Sequence, residues 1–197
     1  MSAVCIIPAR AGSKRIKGKN TKLLGGLPLV TWTIRAAIQS GMFENIIMST
    51  DCVKVADIAR KEGLNVENLR PHELSTDHTT ASQVIGYHLR EISADNICYL
   101  QPTSPLRTVE DIINSYKLFS ETQANAVISM SEVGIPEKWL YSETEDFGSF
   151  IKNVSSLRSQ DLDSVYALNG AIYWFKRNSF FKYQTHLIQD NVVPYLM

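Results

Sequence analysis

The chain has 197 residues, 44% of them hydrophobic and 20% charged, and its 20 basic and 20 acidic side chains cancel to zero net charge. That length suits one well-packed domain, here residues 1–197, and leaves too little for a second. The composition excludes a disordered polar chain, no apolar run approaches the ~20 residues that span a bilayer, and a neutral chain lacks the broad basic surface of a nucleic-acid binder.

The first run, A-V-C-I-I from Ala3, reads as a buried strand. A chain that enters a strand pattern by residue 3, with no basic segment ahead of its short apolar run, does not begin like a secretory leader, so a cytoplasmic location is expected. A Gly-containing loop follows, P-A-R-A-G-S-K-R-I-K-G-K-N, over residues 8–20. Seven basic and no acidic side chains occur in the first 43 residues, six of the seven between Arg10 and Lys22, and the first acid is Glu44. In a neutral chain so uneven a placement marks a loop tuned to a polyanion. It also follows a strand and leads toward a helix, which is where open α/β proteins hold phosphates.

The spacing predicts a helix from about Pro28 to Ser40, because proline suits a first turn and Gly41 a left-handed end. The strand E-N-I-I-M-S then completes a βαβ unit. A second helix is predicted from Val53 to Glu62, stopping at Gly63, with a short strand over N-V-E-N-L at 65–69. A helix from about Thr80 to Glu91 precedes the strand N-I-C-Y-L, and one from about Val109 to Glu121 precedes A-V-I-S-M. Nearly continuous apolar strands alternating with helices predict an α/β fold with a doubly wound, mostly parallel sheet.

After Met130 the rhythm breaks, and residues 134–165 are polar, Gly-containing and aromatic without a sustained period. Trp139, Tyr141, Phe147 and Phe150 lie there with apolar surface to hide, so the segment is read as an inserted dimerisation arm and the protein as a homodimer. The runs N-G-A-I-Y-W-F and V-V-P-Y-L-M return to strand patterns. No repeat or low-complexity tract interrupts the chain. Cys5, Cys52 and Cys98 lack metal-ligand spacing and read as reduced thiols, buried in the two strand runs. Asn153-Val154-Ser155 spells a glycosylation sequon, read as chance.

Within the basic loop, Gly12 lets backbone amides approach a ligand while Arg10, Ser13, Lys14, Lys19 and Asn20 surround it, a cradle for a triphosphate. It is not a Walker A loop, since Lys14 is followed by Arg15 rather than Ser or Thr. Fixed cations stabilise the charge that develops as pyrophosphate leaves more than they stabilise the ground state, which points to nucleotidyl transfer with Arg10 and Lys14 as the catalytic cations.

The loop, S-T-D at 49–51, R-P-H-E-L at 70–74, Q-P-T-S-P-L-R at 101–107 and N-G-A-I-Y at 169–173 occur in one order and together resemble the acylneuraminate cytidylyltransferases, the CMP-sialic acid synthetases. The resemblance implies a sheet of the nucleotide-diphosphosugar-transferase type, and a reaction of CTP with a sialic-like nonulosonic acid that gives the CMP-sugar and pyrophosphate, with Mg²⁺ required and no nucleic acid or membrane involved. It implies that Arg10, Ser13 and Lys14 hold the phosphates, that Asn20 helps place the nucleoside, and that Arg70 touches the base or ribose side. The Asp77 to Ser82 turn would contact the nucleotide, although its letters also spell a helix N-cap. Gln101, at a strand end facing the ligand crevice, would meet the sugar acid, whereas Arg107 serves the site or only caps the next helix. Lys138 would reach the acid from the neighbouring subunit's arm, Tyr166 and Asn169 would line the site, and Phe180-Phe181 would flank the sugar.

The chain departs from the family pattern in two places. Relatives show Arg before the Gln of a segment like R-Q-D-L-P, whereas here Ser159 precedes Gln160, Asp163 replaces the proline and Arg158 comes one place early. Asp161-Leu162-Asp163 resembles a metal-binding D-x-D but falls in the arm, and no metal ligand is assigned. Relatives also continue past V-V-P-Y-L-M into an acidic stretch that holds magnesium, while this sequence stops at Met197. The expectation is a truncated form that binds CTP and turns over slowly or not at all, with Asp51 the substitute ligand if it turns over fully. The alternatives left open are a CTP-binding module without catalysis and a nucleotidyltransferase for another sugar acid such as the eight-carbon Kdo.

Overall fold

The computed structural model describes residues 3–144, 146–154, 158, 162–188 and 190–197. Ser155 of the sequon, the departures at Ser159 and Gln160, and Asp161 of the D-x-D lie outside the described residues.

Strand β1 (Ala3–Pro8) carries the alternation that builds both layers of the protein. Ala3, Cys5 and Ile7 enter one hydrophobic cluster while Val4 and Ile6 enter the other, as the period of two requires. Residues 9–22 then form the basic loop, which ends in a 3-10 turn at Lys19–Thr21 entered through Gly18 in the left-handed region (φ 65°). A two-stranded hairpin, β2 (Leu23–Leu24) and β3 (Leu27–Pro28), leads into α1 (Leu29–Ser40), which Pro28 precedes and Gly41 ends with φ 63°. Both helix boundaries therefore fall where proline and glycine place them.

The chain continues through β4 (Asn45–Ser49), α2 (Val53–Lys61), α3 (Ala81–Leu89), β5 (Asn96–Tyr99), α4 (Val109–Glu121) and β6 (Ala126–Val133). Helices α3 and α4 open on full capping boxes, Thr80 with Gln83 and Thr108 with Asp111. The strand predicted over 65–69 does not form. There the Val66 side chain is buried and its carbonyl accepts from Nε and Nη2 of Arg60 at 3.1 and 2.6 Å, so the segment is fastened to α2. Within the arm the chain makes a 3-10 turn at Glu137–Trp139 and α5 (Phe147–Val154). It returns as β7 (Val165–Lys176), α6 (Arg177–Tyr183) and β8 (Val192–Leu196).

Six strands join in the order β4-β1-β5-β7-β6-β8. β1 pairs in parallel with β4 and β5, β6 pairs in parallel with β8, and β7 runs antiparallel to both its neighbours. Helices α1, α2 and α4 cover one face through Val30, Ile34, Val55, Ala59, Ile112 and Phe119, around a fully buried Trp174 whose Nε1 donates to Ser115 Oγ at 3.0 Å. Helices α3 and α6 cover the other through Ile85, Leu89 and Phe180. The sheet is thus doubly wound and mostly parallel, as the sequence predicts.

Cys5 and Cys98 face each other across β1 and β5, buried as reduced thiols whose pKa burial pushes far up, while Cys52 is only half-buried. Among the described residues, no helix is long and apolar enough to cross a membrane.

Candidate active site

The chain leaves β1 for β4 on one side and later places β5 on the other, so the order reverses at β1. A crevice opens outside the carboxyl ends of strands at such a point. A cavity of about 240 Å³ lies there, bounded by Pro8 at the end of β1, by Tyr99 and Gln101 at the end of β5, and by Arg10, Gly12, Ser13, Lys19 and Asn20 of the basic loop. Arg70, Leu74 and Thr79 to Ala81 close the opposite wall. Among the described residues that line it, none is acidic and none is a histidine, while three are cations, Arg10, Lys19 and Arg70.

The loop is held from below. Ala11 N–H donates to Asp51 Oδ1 at 2.7 Å, Thr50 Oγ1 donates to the Ala9 carbonyl at 2.6 Å, and buried Asn20 donates from Nδ2 to the Arg10 carbonyl at 3.0 Å. Asn20 therefore shapes the loop while its residue lines the cavity. A Cβ added at Gly12 would meet nothing within 4 Å, so the glycine fronts open space. Lys19 is partly buried, and that desolvation, with Arg10 and Arg15 nearby, holds its pKa below the ordinary lysine value.

Arg10 and Lys14 converge above the cavity on one carboxylate. Arg10 Nη1 lies 2.9 Å from Asp77 Oδ1 and Lys14 Nζ lies 2.8 Å from Asp77 Oδ2, while Arg10 Nη1 also donates to the Thr76 carbonyl at 2.8 Å. The Lys14 and Arg10 hydrogen bonds hold the Asp77 carboxyl below its ordinary range. Lys14 itself is 81% exposed and stands outside the cavity lining.

Arg70 differs. It is 6% exposed, its Nε donates to Ser75 Oγ at 3.1 Å, and among the described residues no carboxylate lies within ion-pairing distance. Burial lowers its pKa, with Asp51 and Tyr99 opposing and Arg10 adding to the fall. A buried guanidinium with one partner, facing an anion-sized cavity, is an electrostatic arrangement that an incoming anion completes.

Gln101 is fixed at the other end. Its carbonyl accepts from Arg107 Nη2 at 2.8 Å, and its Oε1 lies 3.0 Å from where a Cβ on Gly170 would stand. Gly170 has φ 74°, so glycine serves both the backbone and the close approach. Arg107 is not a helix cap: buried, it also donates from Nε to the Ala171 carbonyl at 3.1 Å and from Nη1 to Thr33 Oγ1 at 3.3 Å, tying β7, α1 and the Gln101 turn together.

The cavity gathers Arg10, Ser13, Lys19, Asn20, Arg70 and Gln101 from the predicted site, but not the rest. Asn169 spends its carboxamide inside the sheet, accepting from Ser129 Oγ at 2.6 Å and Ala171 N–H at 3.0 Å and donating to Ser131 Oγ at 2.9 Å, where the β6–β7 register shifts. It is therefore a structural residue of the sheet. Phe180 packs as core, its ring 5.8 Å from Phe175, and with half-exposed Phe181 it lines an adjoining cavity of about 640 Å³ between α3 and α6, which shares Leu74 and Thr80 with the first. Lys138 lies on the arm beside Glu137 and Asp163, and Tyr166 on the arm end of β7 opposite Glu132. Thr79, Thr80 and Ala81 of the predicted nucleotide-contacting turn line the cavity, as do Tyr99 and Thr103, which the sequence does not single out because a tyrosine in a buried strand and a threonine in a turn carry no distinguishing pattern.

A cationic crevice at the strand-order reversal of a doubly wound sheet defines a nucleotide-binding α/β protein. A family model described as cytidylyltransferase matches residues 4–191, and the chain belongs to that family. It is 38% identical to the CMP-N,N'-diacetyllegionaminic acid synthase of Legionella pneumophila, over 88% of this chain and 77% of that protein. It is 36% identical to the N-acylneuraminate cytidylyltransferase of Streptococcus agalactiae, over 96% of this chain but only 48% of that protein. Among solved structures, a CMP:2-keto-3-deoxy-manno-octonic acid synthetase complexed with CTP superposes over 100% of this chain and 90% of its own, with a TM-score of 0.74 at 17% identity, a likeness of fold.

Proposed function

We propose that this chain is a cytidylyltransferase domain that joins a sialic-like nonulosonic acid to CTP. The anomeric hydroxyl oxygen of the acid attacks the α-phosphorus, the bond to the bridging oxygen breaks, pyrophosphate leaves, and the hydroxyl proton passes to solvent, since among the described residues no acidic or imidazole group lines the cavity. The observation that carries this reading is the set of Arg70, Arg10 and Lys19 around a cavity lined by no carboxylate, with Arg70 buried and unpaired by any acid among the described residues. Such preorganised cations stabilise the charge that gathers on the leaving pyrophosphate. The choice of acid rests on the relatives' names, legionaminic and acylneuraminic.

Arg10, Ser13, Lys14 and Lys19 would hold the phosphates, Asn20 and Arg70 the nucleoside side, with the Arg70 guanidinium also reaching the phosphates, and Gln101 the sugar acid. Mg²⁺ would accompany the triphosphate and neutralise part of its charge. Among the described residues, no three His, Cys, Asp or Glu side chains group to hold a metal, but Asp51 and Asp77 stand as single carboxylates at the loop. That fits an ion ligated chiefly by phosphates and water with one or two carboxylates. The arm exposes Ile135, Trp139, Leu140, Tyr141, Phe147 and Ile151, which supports a homodimer in which Lys138 and Tyr166 serve the partner's site. A cytoplasmic location follows from the need for CTP.

The test is calorimetric titration with CTP, ATP, GTP and UTP, followed by pyrophosphate release with legionaminic, acylneuraminic, pseudaminic and eight-carbon Kdo substrates plus Mg²⁺. Selective CTP binding and release with a nine-carbon acid are expected. Absence of CTP binding refutes the reading, release only with Kdo corrects its substrate, and a monomer in sedimentation at micromolar concentration refutes the dimer.

A further inference from the structure

Asp77, one of the two single carboxylates at the loop, receives both cations that the phosphate loop offers above the cavity. Its Oδ1 takes Arg10 and its Oδ2 takes Lys14, at 2.9 and 2.8 Å. The two oxygens of one carboxylate thus span two cations as two oxygens of a phosphate would. The carboxylate is 36% exposed at the cavity's rim and sits in the 72–80 segment, which is fastened by local bonds: Thr76 N–H to Thr79 Oγ1 at 3.2 Å, Ser75 N–H to the His72 carbonyl at 2.9 Å, and the Arg10 bond to the Thr76 carbonyl. None of these is made by the Asp77 side chain, although the Arg10 bond shares its Nη1 with the Asp77 pair.

We propose that Asp77 is a built-in counter-anion of the phosphate loop, whose carboxylate occupies Arg10 and Lys14 and sets an affinity threshold that a nucleotide polyphosphate passes and a small anion does not. The inference rests on the proposed nucleotide reading of the cavity. A single carboxylate carries one negative charge, so an inorganic phosphate gains little by replacing it on two cations that are already neutralised. A triphosphate carries more charge and reaches Lys19 and Arg70 as well, so it displaces Asp77 at a net gain. The exposed pairs are each weak, so the barrier they set is modest and reversible.

The experiment compares the full chain with Asp77→Asn, which removes the charge and keeps the shape, and Asp77→Glu, which keeps the charge. Binding of inorganic phosphate and of CTP is measured separately by calorimetry at low ionic strength, and circular dichroism confirms the fold of each variant. For Asp77→Asn, phosphate and CTP, each titrated without Mg²⁺, are both expected to bind about two- to fivefold more tightly, because each must displace the Asp77 carboxylate in the parent. Asp77→Glu is expected to behave like the parent. The proposal is overturned if Asp77→Asn binds phosphate no more tightly than the parent, whether or not CTP binds. It is also overturned if CTP binds the asparagine variant more weakly, which would make Asp77 a strut for the loop. Failure of the parent to bind CTP, with phosphate still tightening in Asp77→Asn, would sink the nucleotide reading and leave Asp77 as a guard against small anions.

Discussion

Two buried arginines flank the cavity with 6% and 5% exposure, and replacing each by methionine is expected to have opposite consequences. Arg70 keeps a desolvated charge with one side-chain bond, Nε to Ser75 Oγ. Removing a guanidinium from water costs several kcal/mol, and a single hydrogen bond to a charged group returns about 1.5–3 kcal/mol. A methionine of similar length can fill the volume, and the backbone bond from Arg70 N–H to the Thr50 carbonyl, 2.7 Å, survives the change. Arg70→Met is therefore expected to leave folding stability unchanged or to raise it by ~1–2 kcal/mol, as when buried ion groups are replaced by apolar ones. The same change removes a preorganised cation from a partly dry site, and CTP binding is expected to weaken by about 2–3 kcal/mol, roughly 30- to 150-fold. Urea unfolding and CTP calorimetry on the same preparation measure both quantities. Loss of more than ~3 kcal/mol of stability with undiminished CTP affinity would refute the reasoning and make Arg70 a structural strut.

Arg107→Met, by contrast, orphans the Ala171 and Gln101 carbonyls and Thr33 Oγ1, and it is expected to destabilise the fold by about 3–5 kcal/mol in urea unfolding. Gly170→Ala forces a left-handed φ of 74° on a side chain and crowds Gln101 Oε1 at 3.0 Å, so a cost of ~1–2 kcal/mol and a several-fold rise in KM for the sugar acid, with unchanged CTP affinity, are expected. His88 is half-buried and His186 buried, and the pKa of each falls from 6.5 to about 4, in both cases chiefly through desolvation. The unfolded chain binds these protons first, so stability is full above about pH 6.5 and is lost as pH falls toward 4, by up to ~3 kcal/mol for each histidine. Unfolding midpoints across that range measure it, and His186→Gln should flatten part of the slope.

The sequence alone determines the sheet, its helices and the basic loop, because these are local. Pro28 and Gly41 bound α1, the Thr80 and Thr108 boxes open α3 and α4, and alternation along A-V-C-I-I assigns its residues to two faces before any contact is known. The cationic loop is legible for the same reason: its charges lie close together along the chain with no acid among them. The helix Phe147–Val154 and α6 are not legible, being short and embedded in an aromatic arm and after a long strand. The false strand at 65–69 has strand letters but gives its carbonyl to Arg60 instead of a ladder. Only tertiary structure distinguishes Arg70 from Arg107, since both are arginines near prolines in loops, and what separates them is whether carbonyls from distant segments converge on the guanidinium. Likewise Asn169 and Phe180 belong to the packing of the sheet because their partners, Ser129 and Phe175, arrive from elsewhere in the fold, and Asp77 meets Arg10 and Lys14 only because the 72–80 turn folds over the loop more than sixty residues away. Patterns of period and charge act over a few residues, whereas the fate of a polar side chain depends on which groups the whole fold brings within hydrogen-bonding distance.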